Sequence, residues 1–344
     1  MSRDITITPV TGTVNAMVLE LSNGRLVAAE FSGFNIKVST DGGATWSANK
    51  YSDGHPNANP RSPFVDSNGN LYFSKGLAGG NGYLVRSTDD GETWTKVLDS
   101  ESNAIWYLAE DLNGDLYCNE YSFGESPTDG WQALNVWKSV DGGITWGKDF
   151  TYPTTARHLH LFAIDSNGNK YLSAAHPQNG ATDVAATWPY IGGAVGSPFT
   201  PQGIGGGMTA FTEATDGTLL FGSDRENGIW KLNGTSFVNV FSTELNILTM
   251  VTGRDCVIYA TTSSGDAEEL YMSADNGITW VIAKLHGTTK AYTTHLTVGR
   301  GNTPYIYWDG GYDQPYRRIP DYTRAELRAL YTSTSTINGT ITTN

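Results

Sequence analysis

Cysteine is scarce in this chain of 344 residues. The two cysteines, Cys118 and Cys256, lie more than a hundred residues apart, and no Cys-x-x-Cys spacing occurs. This excludes the disulfide framework that holds many small secreted domains together, and it excludes a zinc site of paired cysteines. We expect both cysteines to be structural or unbridged thiols.

Long apolar runs are also missing. A membrane-crossing helix needs about 18 or more consecutive apolar residues, and no such stretch occurs. The first ten residues, MSRDITITPV, lack the apolar segment of a secretory leader. Because a chain without a leader fits both a mature secreted protein and a virion component released by lysis, the localisation stays open, with an extracellular, virion or cell-surface location favoured.

Basic residues are outnumbered, since 22 Lys and Arg against 35 Asp and Glu give a formal net charge of −13. Phosphate binding needs clustered Lys and Arg, so we expect no nucleic-acid partner, and an acidic surface repels anionic membranes. An acidic sugar stays compatible with this composition, because a local group of arginines can dominate the potential inside a cleft.

Glycine, tyrosine and tryptophan are abundant, with 40, 18 and 10 copies, which favours many short strands joined by tight turns. One eight-residue segment recurs, with Asp five residues before Trp and two before Gly. Its complete copies are STDGGATW (39–46), STDDGETW (87–94), SVDGGITW (139–146) and SADNGITW (273–280). We interpret ATDVAATW (181–188), which keeps Asp183, Thr187 and Trp188 but lacks the Gly, as a degenerate fifth copy.

A second repeat runs in phase with the first and joins a tight turn to an apolar strand. Its seven copies are SNGRLV (22–27), DSNGNLY (66–72), DLNGDLY (111–117), DSNGNKY (165–171), TDGTLL (215–220), GRDCVIY (253–259) and GRGNTPYIY (299–307). Asn-Gly and Asp-Gly between apolar runs are hairpin signals, and a period of roughly 40 to 50 residues is typical of propeller blades. Each blade therefore reads as strand A, an Asn-Gly turn, strand B, a variable loop, strand C, the Asp-x-Gly turn and strand D.

The two repeats together predict an all-β protein, a single propeller domain over residues 1–320. We expect seven blades, with six or eight as alternatives. The N-terminal segment DITITPV has no partner strand beside it in sequence, so we expect it to complete the last blade and remove its free edge. Residues 321–331 favour a short helix, and residues 332–344 form a Ser/Thr-rich tail that is flexible or binds a protein partner.

The Asp-x-Gly segments resemble the Asp box, or BNR repeat, of sialidases and related propellers. In that family the box is a hairpin turn between the two outer strands of a blade, on the face away from the active site. The resemblance, which covers most of the chain through its repeats, implies a structural role for the Asp and Trp of each box. These residues are Asp41, Trp46, Asp89, Trp94, Asp141, Trp146, Asp275 and Trp280.

The blade layout places the B–C and D–A loops on one face, and all six histidines fall in or next to these loops. His158 and His160 are two apart, so alternation along a strand points both to one side. From this face we select His158, His160, His176, Tyr121 and Arg157 as catalytic candidates. Substrate-binding candidates are Glu120, Arg61, Asp224, Arg225, Trp308 and Asp309.

The acidic-Tyr pair, the Arg-His-x-His strand and the Gly-x-Asp segment are similar to a pattern in BNR-repeat proteins. This resemblance implies a polysaccharide lyase, in which a cation neutralises a uronate carboxylate while a base removes the neighbouring proton. The other interpretation is that the histidines are hydrogen-bonded structural residues. A zinc site of His158, His160 and His176 lacks an acidic ligand at suitable spacing, so we expect no cofactor, with a structural or catalytic divalent metal as the alternative.

A true sialidase is not expected. The Arg-Ile-Pro motif of that family belongs near the N-terminus, whereas Arg318, Ile319 and Pro320 follow the last blade. Glu120 and Tyr121 could imitate the nucleophile pair of a sialidase, but adjacent residues on a strand point to opposite faces, which argues against it.

Two functions remain. The first is an enzyme, a lyase or glycosidase that acts on an acidic polysaccharide. The second is a non-catalytic propeller that binds a glycan or a protein, such as a surface adhesin or a virion receptor-binding or structural subunit. In both, aromatic and amide-rich loops suit contact with sugar rings.

Overall fold

The computed structural model describes residues 8–9, 16–31, 33–55, 58–77, 80–122, 133–152, 156–177, 186–199, 207–223, 227–243, 245–253, 256–263, 269–286, 293–298, 304–309, 317–318 and 337–340. All regular structure in these residues is β-strand, which confirms the predicted all-β class. None of them belongs to a helix with the length and apolar character needed to cross a membrane.

The chain forms two compact units, and the first comprises Ala29–Val38 and Ser47–Met208. This unit holds three antiparallel sheets of four strands, each in chain order. Their strands are β5 (Ala58–Val65), β6 (Leu71–Leu77), β7 (Tyr83–Ser87) and β8 (Thr95–Asp99); β9 (Ala104–Glu110), β10 (Leu116–Tyr121), β11 (Asn135–Ser139) and β12 (Gly147–Thr151); and β13 (Ala156–Ile164), β14 (Lys170–Pro177), β15 (Ala186–Ile191) and β16 (Ala194–Val195).

The second unit comprises Met1–Ala28, Ser39–Trp46 and Thr209–Asn344. It holds a four-stranded, a five-stranded and a further four-stranded sheet. Their strands are β17 (Met208–Glu213), β18 (Leu219–Ser223), β19 (Gly228–Asn233) and β20 (Ser236–Ser242); β21 (Asn246–Thr252), β22 (Ile258–Ser263), β23 (Glu269–Ser273), β24 (Val281–His286) and β28 (Ile337–Thr340); and β25 (Thr293–Val298), β26 (Pro304–Asp309), β27 (Arg317–Arg318) and β1 (Thr8–Pro9).

A further sheet contains β2 (Ala16–Glu20), β3 (Leu26–Glu30) and β4 (Ile36–Ser39). After its Asp box, the chain makes a single bridge between Ile36 and Tyr51 where the sequence predicts a fourth strand. Within the described residues there are therefore six blades with four or more strands, not the seven predicted. The predicted four-stranded blade is therefore confirmed. The number of blades changes from the predicted seven to six, which was one of the alternatives.

The A–B turns form where the second repeat predicts them. In the turn at Asp66, the Asp66 N–H donates to the Asn70 carbonyl at 3.0 Å and the Gly69 N–H donates to the Asp66 carbonyl at 3.0 Å. Gly69 has a φ of 86°, which a glycine adopts without steric cost. The turns at Asp111 and Asp165 repeat both bonds, and only the copy at 299–307 lies largely outside the described residues.

The described residues of the degenerate Asp box at 181–188 lie in a strand and do not support that interpretation, and residues 181–185 lie outside the described part of the chain. Thr187 and Trp188 lie inside β15, where Trp188 pairs with Leu172 of β14. The Trp188 ring is buried at 5.2 Å from the ring of Tyr152, which makes it a core residue of a strand C. The turn that follows strand C in this sheet is made by Gly192 and Gly193, both with positive φ.

Both ends of the chain contribute strands to sheets of the second unit. Strand β1 pairs antiparallel with β27, as expected for an N-terminal strand that completes the last blade. Strand β28 pairs parallel with β24, although we expected this part of the tail to be flexible or to bind a partner. The predicted helix at 321–331 lies outside the described residues.

No disulfide joins Cys118 and Cys256, both of which lie in the described part of the chain. Cys118 is buried on β10, where burial raises the pKa of its thiol well above the ordinary value. It is therefore a small core residue, as the absence of a Cys framework predicts.

Candidate functional site

Three rings from neighbouring strands of the first unit stack in a row. The Tyr121 ring, at the end of β10, lies 4.0 Å from the Trp106 ring of β9, with an interplanar angle of 20°. On its other face it lies 4.0 Å from the His158 ring of β13, at 26°. Both faces of the Tyr121 ring are therefore covered by rings.

The row extends at both ends. The Arg61 guanidinium, on β5, sits 4.8 Å from the centre of the Trp106 ring. At the other end, the His160 ring lies 4.7 Å from the His158 ring, and their Nε2 atoms are 2.7 Å apart. We call these five side chains, Arg61, Trp106, Tyr121, His158 and His160, the stacked row. It joins a cation, a phenol and two imidazoles in continuous contact.

Backbone and amide groups hold the histidine end of the row. The Nδ1 atom of His158 lies 2.9 Å from the carbonyl oxygen of Ser122. The Ser122 hydroxyl donates to the Asn103 side-chain oxygen at 3.2 Å. The Asn119 side-chain amide donates to the carbonyl of Leu159, between the two histidines, at 3.2 Å. Strand β13 is thus bonded through the Leu159 carbonyl to Asn119 of β10, and through the His158 ring to Ser122, which follows β10.

β-Bulges explain how the row is assembled. The pairing of β9 with β10 skips Trp106, and the pairing of β13 with β14 skips His160, so each is an extra residue on its strand. A bulge re-aims a side chain, and such bulges often lie next to functional sites. Trp106 and His160 each stand five residues before the Asp of the A–B turn, and Arg61 has the same position in β5. Sequence reasoning missed Trp106, and this shared position is the signal that points to it.

Burial divides the row. His158 is 0% exposed, His160 is 2% exposed and Arg61 is 4% exposed. Trp106 and Tyr121 are half-buried and form its accessible part. The faces of Trp106 and Tyr121 are already occupied within the row.

Glu120 lies outside the row. Its buried carboxylate accepts hydrogen bonds from the backbone N–H of Glu101 at 2.7 Å, from Trp137 Nε1 at 3.0 Å and from the Asn135 amide at 2.8 Å. Burial raises the pKa of Glu120 above its ordinary value, while these three bonds act in the other direction. Because the carboxylate is fully buried and bonded to these groups, we leave Glu120 out of the proposed site.

Several candidates cannot be placed. Asp224 and Arg225 lie outside the described residues. The backbones of Arg157, His176, Trp308 and Asp309 lie in described strands, but their side chains are not described. These six residues stay predictions. Among the residues that the structure describes, no three His, Cys, Asp or Glu side chains are grouped as metal ligands.

The four Asp boxes share one set of bonds. In the box at 139–146, Asp141 Oδ1 accepts from the Ser139 hydroxyl at 2.8 Å and from the Thr145 N–H at 2.9 Å, and Oδ2 accepts from the Thr145 hydroxyl at 2.6 Å. Trp146 Nε1 donates to the Gly143 carbonyl at 3.3 Å. The same bonds recur at Asp41 and Trp46, at Asp89 and Trp94, and at Asp275 and Trp280. Each carboxylate is used inside its own turn, as the resemblance implies.

Comparisons with known proteins agree with these turns and this fold. The BNR/Asp-box repeat family model matches residues 37–48. The sequence matches no curated protein. The fold is similar to virginiamycin B lyase from Staphylococcus aureus, with 14% identity, a TM-score of 0.64 and coverage of 92% of this chain and 98% of that one.

Other solved structures are similar to the same extent. They include YCF48 bound to D1 peptide (12% identity, TM-score 0.63, 94% of this chain and 99% of that one) and the WD40 β-propeller domain of Doa1 (11%, 0.63, 92% and 96%). Identities this low concern the fold alone. The fold and the turns therefore define a β-propeller, and this chain is a propeller that carries BNR/Asp-box repeats.

Proposed function

We propose that this propeller interacts with an acidic polysaccharide at the stacked row and acts on it as a lyase. The observation that carries the proposal is the continuous contact of a cation, a phenol and paired imidazoles on neighbouring strands. These are the groups that proton abstraction beside a carboxylate requires.

The substrate class follows from charge. The chain has a net charge of −13, so a cation held in the row is a local exception that favours an anionic group. The half-buried edges of Trp106 and Tyr121 provide the apolar and hydrogen-bonding contacts that a sugar ring uses.

The proposed reaction is a β-elimination. A base of the histidine pair takes the proton from the carbon next to the uronate carboxylate, and that C–H electron pair becomes a C=C bond. The C–O bond to the neighbouring sugar breaks, and its oxygen takes a proton from an acid, for which we propose the Tyr121 hydroxyl. Arg61, at the other end of the row from the histidine pair, adds positive potential that favours an anionic substrate. Protons and electrons balance without an oxidant or a metal.

Non-catalytic binding of a glycan or a protein is the second candidate. The burial of His158 and His160 favours it, because hydrogen-bonded histidines inside a blade also serve to hold neighbouring strands together. In this case the edges of Trp106 and Tyr121 would recognise the ligand and no bond would break, as expected for a surface adhesin or a virion subunit.

Ultraviolet absorbance of unsaturated uronates, measured over a panel of acidic polysaccharides, separates the two candidates. If one substrate is cleaved, we expect Tyr121→Phe to lower turnover by about 10²-fold or more, because it removes the proposed acid and keeps the ring. The matched control is Tyr117→Phe, which removes a hydroxyl from the same strand, where Tyr117 stacks on Phe162 and not in the row.

Binding without cleavage by the native protein would support the second candidate and contradict the lyase. Equal losses in Tyr121→Phe and Tyr117→Phe would remove the stacked row from the mechanism. Far-ultraviolet circular dichroism of each variant verifies that the fold is kept.

A further inference from the structure

The hydrogen bonds around His158 determine which nitrogen of each histidine in the pair carries a hydrogen. The Nδ1 atom of His158 faces the carbonyl oxygen of Ser122 at 2.9 Å. A carbonyl oxygen only accepts, so this Nδ1 carries the hydrogen. In a neutral imidazole only one nitrogen carries a hydrogen, so the Nε2 atom of His158 is an acceptor.

The position of the hydrogen on His160 follows from its position on His158. The Nε2 atoms of His158 and His160 are 2.7 Å apart, which is a hydrogen-bonding distance. Since His158 Nε2 accepts, His160 Nε2 donates, and in the neutral pair the lone pair of His160 lies on Nδ1. We infer that His160 Nδ1 is the atom of the stacked row that takes up a proton, with His158 and the Ser122 carbonyl as the groups that position it.

The geometry also limits the pair to one added charge. A proton added to the neutral pair goes to His160 Nδ1, because His158 Nδ1 already carries a hydrogen and the two Nε2 atoms share one. A second added proton would place two N–H groups against each other across 2.7 Å, which removes the hydrogen bond and opposes two like charges. The pair therefore works as a single base.

The residues that bond to the histidine end of the stacked row maintain this arrangement of hydrogens. Asn119 bonds the backbone between the two histidines, and the Ser122 hydroxyl bonds Asn103 while its carbonyl holds His158. A 180° flip of the His158 ring exchanges Nδ1 with Cδ2 and Nε2 with Cε1, so it would break the hydrogen bonds to both Ser122 and His160. The use of the proton rests on the proposed function, but the positions of the hydrogens do not.

Nitrogen-15 NMR of histidine-labelled protein tests the inference, because correlations from ring nitrogens to ring protons report which nitrogen carries hydrogen. In the full chain with neutral histidines, we expect hydrogen on Nδ1 of His158 and on Nε2 of His160. His158→Gln and His160→Gln assign the signals. His55→Gln, which changes a histidine of the same unit outside the row, should leave both rings unchanged.

If a buried substitution prevents folding, the rings can be assigned by proton contacts to Tyr121, which is 4.0 Å from His158 and 5.9 Å from His160 between ring centres. Hydrogen on Nε2 of His158, or on Nδ1 of neutral His160, would overturn the inference. The expected hydrogens in a protein that cleaves no polysaccharide would support it and contradict only the proposed function. Cleavage together with reversed hydrogens would do the opposite.

Discussion

Two kinds of carboxylate in this chain differ by their surroundings. Asp141 is exposed and bonded to the Thr145 hydroxyl and N–H of its own turn, and these bonds lower its pKa from 3.8 to about 2. Glu120 is fully buried, and burial raises its pKa although three donors surround it. The surroundings of each carboxylate, and not its residue type, therefore set the direction of its pKa shift.

The Asp-box carboxylates predict a loss of stability in acid. Because the folded pKa of Asp141 lies below its unfolded value, its contribution is complete above about pH 4 and is lost as the pH falls from 4 towards 2. We expect Asp141→Asn to show a shallower fall in melting temperature over this range than the native protein. Thermal unfolding monitored by circular dichroism from pH 2 to 6 measures it, and identical slopes would contradict the bonding of this box.

Asp boxes also connect consecutive blades, at the scale of the element. The Tyr72 hydroxyl of β6 donates to the Gly142 carbonyl in the next box at 3.0 Å. Gly142 and Gly143 both have positive φ, but a Cβ on Gly142 would meet nothing within 4 Å, whereas one on Gly143 would collide with the Tyr72 ring and hydroxyl. Substitutions of Gly142 and Gly143 by Ala therefore share the backbone strain and differ in the collision with Tyr72.

We expect Gly142→Ala to lower the free energy of unfolding by about 1 kcal/mol, through backbone strain alone. Gly143→Ala should add a further ~1–3 kcal/mol, because the packed Tyr72 must move. Urea unfolding measures both. Equal effects of the two substitutions would show that the box does not pack on β6 as described.

Turns and strands were predictable from sequence because their determinants are local. Asp41 and its equivalents form hydrogen bonds within five residues, so the eight residues of each box contain the interactions that specify the turn. Four of the five side chains in the stacked row were predictable. His158, His160, Tyr121 and Arg61 were selected by loop position, but Trp106 was missed, because a bulge adds a residue to the strand and shifts the alternation. The interpretation of 181–188 as an Asp box was not supported for a different reason. Its residue types resemble a box, but Trp188 is buried in the core as part of β15.

At the scale of the whole molecule, the edges of the sheets depend on the ends of the chain. Strand β28 covers β24, with Ile337 opposite Ala283 and Thr340 opposite His286. Removal of 337–344 would expose an edge strand, which loses backbone hydrogen bonds and offers a template for aggregation. We expect a loss of about 1–3 kcal/mol in urea unfolding and increased light scattering.

Removal of 341–344 is the matched control, because it shortens the chain and leaves β28 in place. Equal stability of the two truncated proteins would mean that β28 does not support its sheet. Composition could not predict this strand, since a Ser/Thr-rich segment has no apolar alternation to mark it, and its parallel partner lies about fifty residues away.

The fold brings residues far apart in sequence, from Arg61 to His160, into one row, and the account depends on a ligand meeting that row. A crystal structure of the Tyr121→Phe variant with an acidic oligosaccharide is the most direct test, because the variant should bind without turning over. We predict a sugar ring at the edges of Trp106 and Phe at position 121, with its carboxylate on the Arg61 side. An oligosaccharide bound at the Asp boxes, or absent at saturating concentration, would contradict the account.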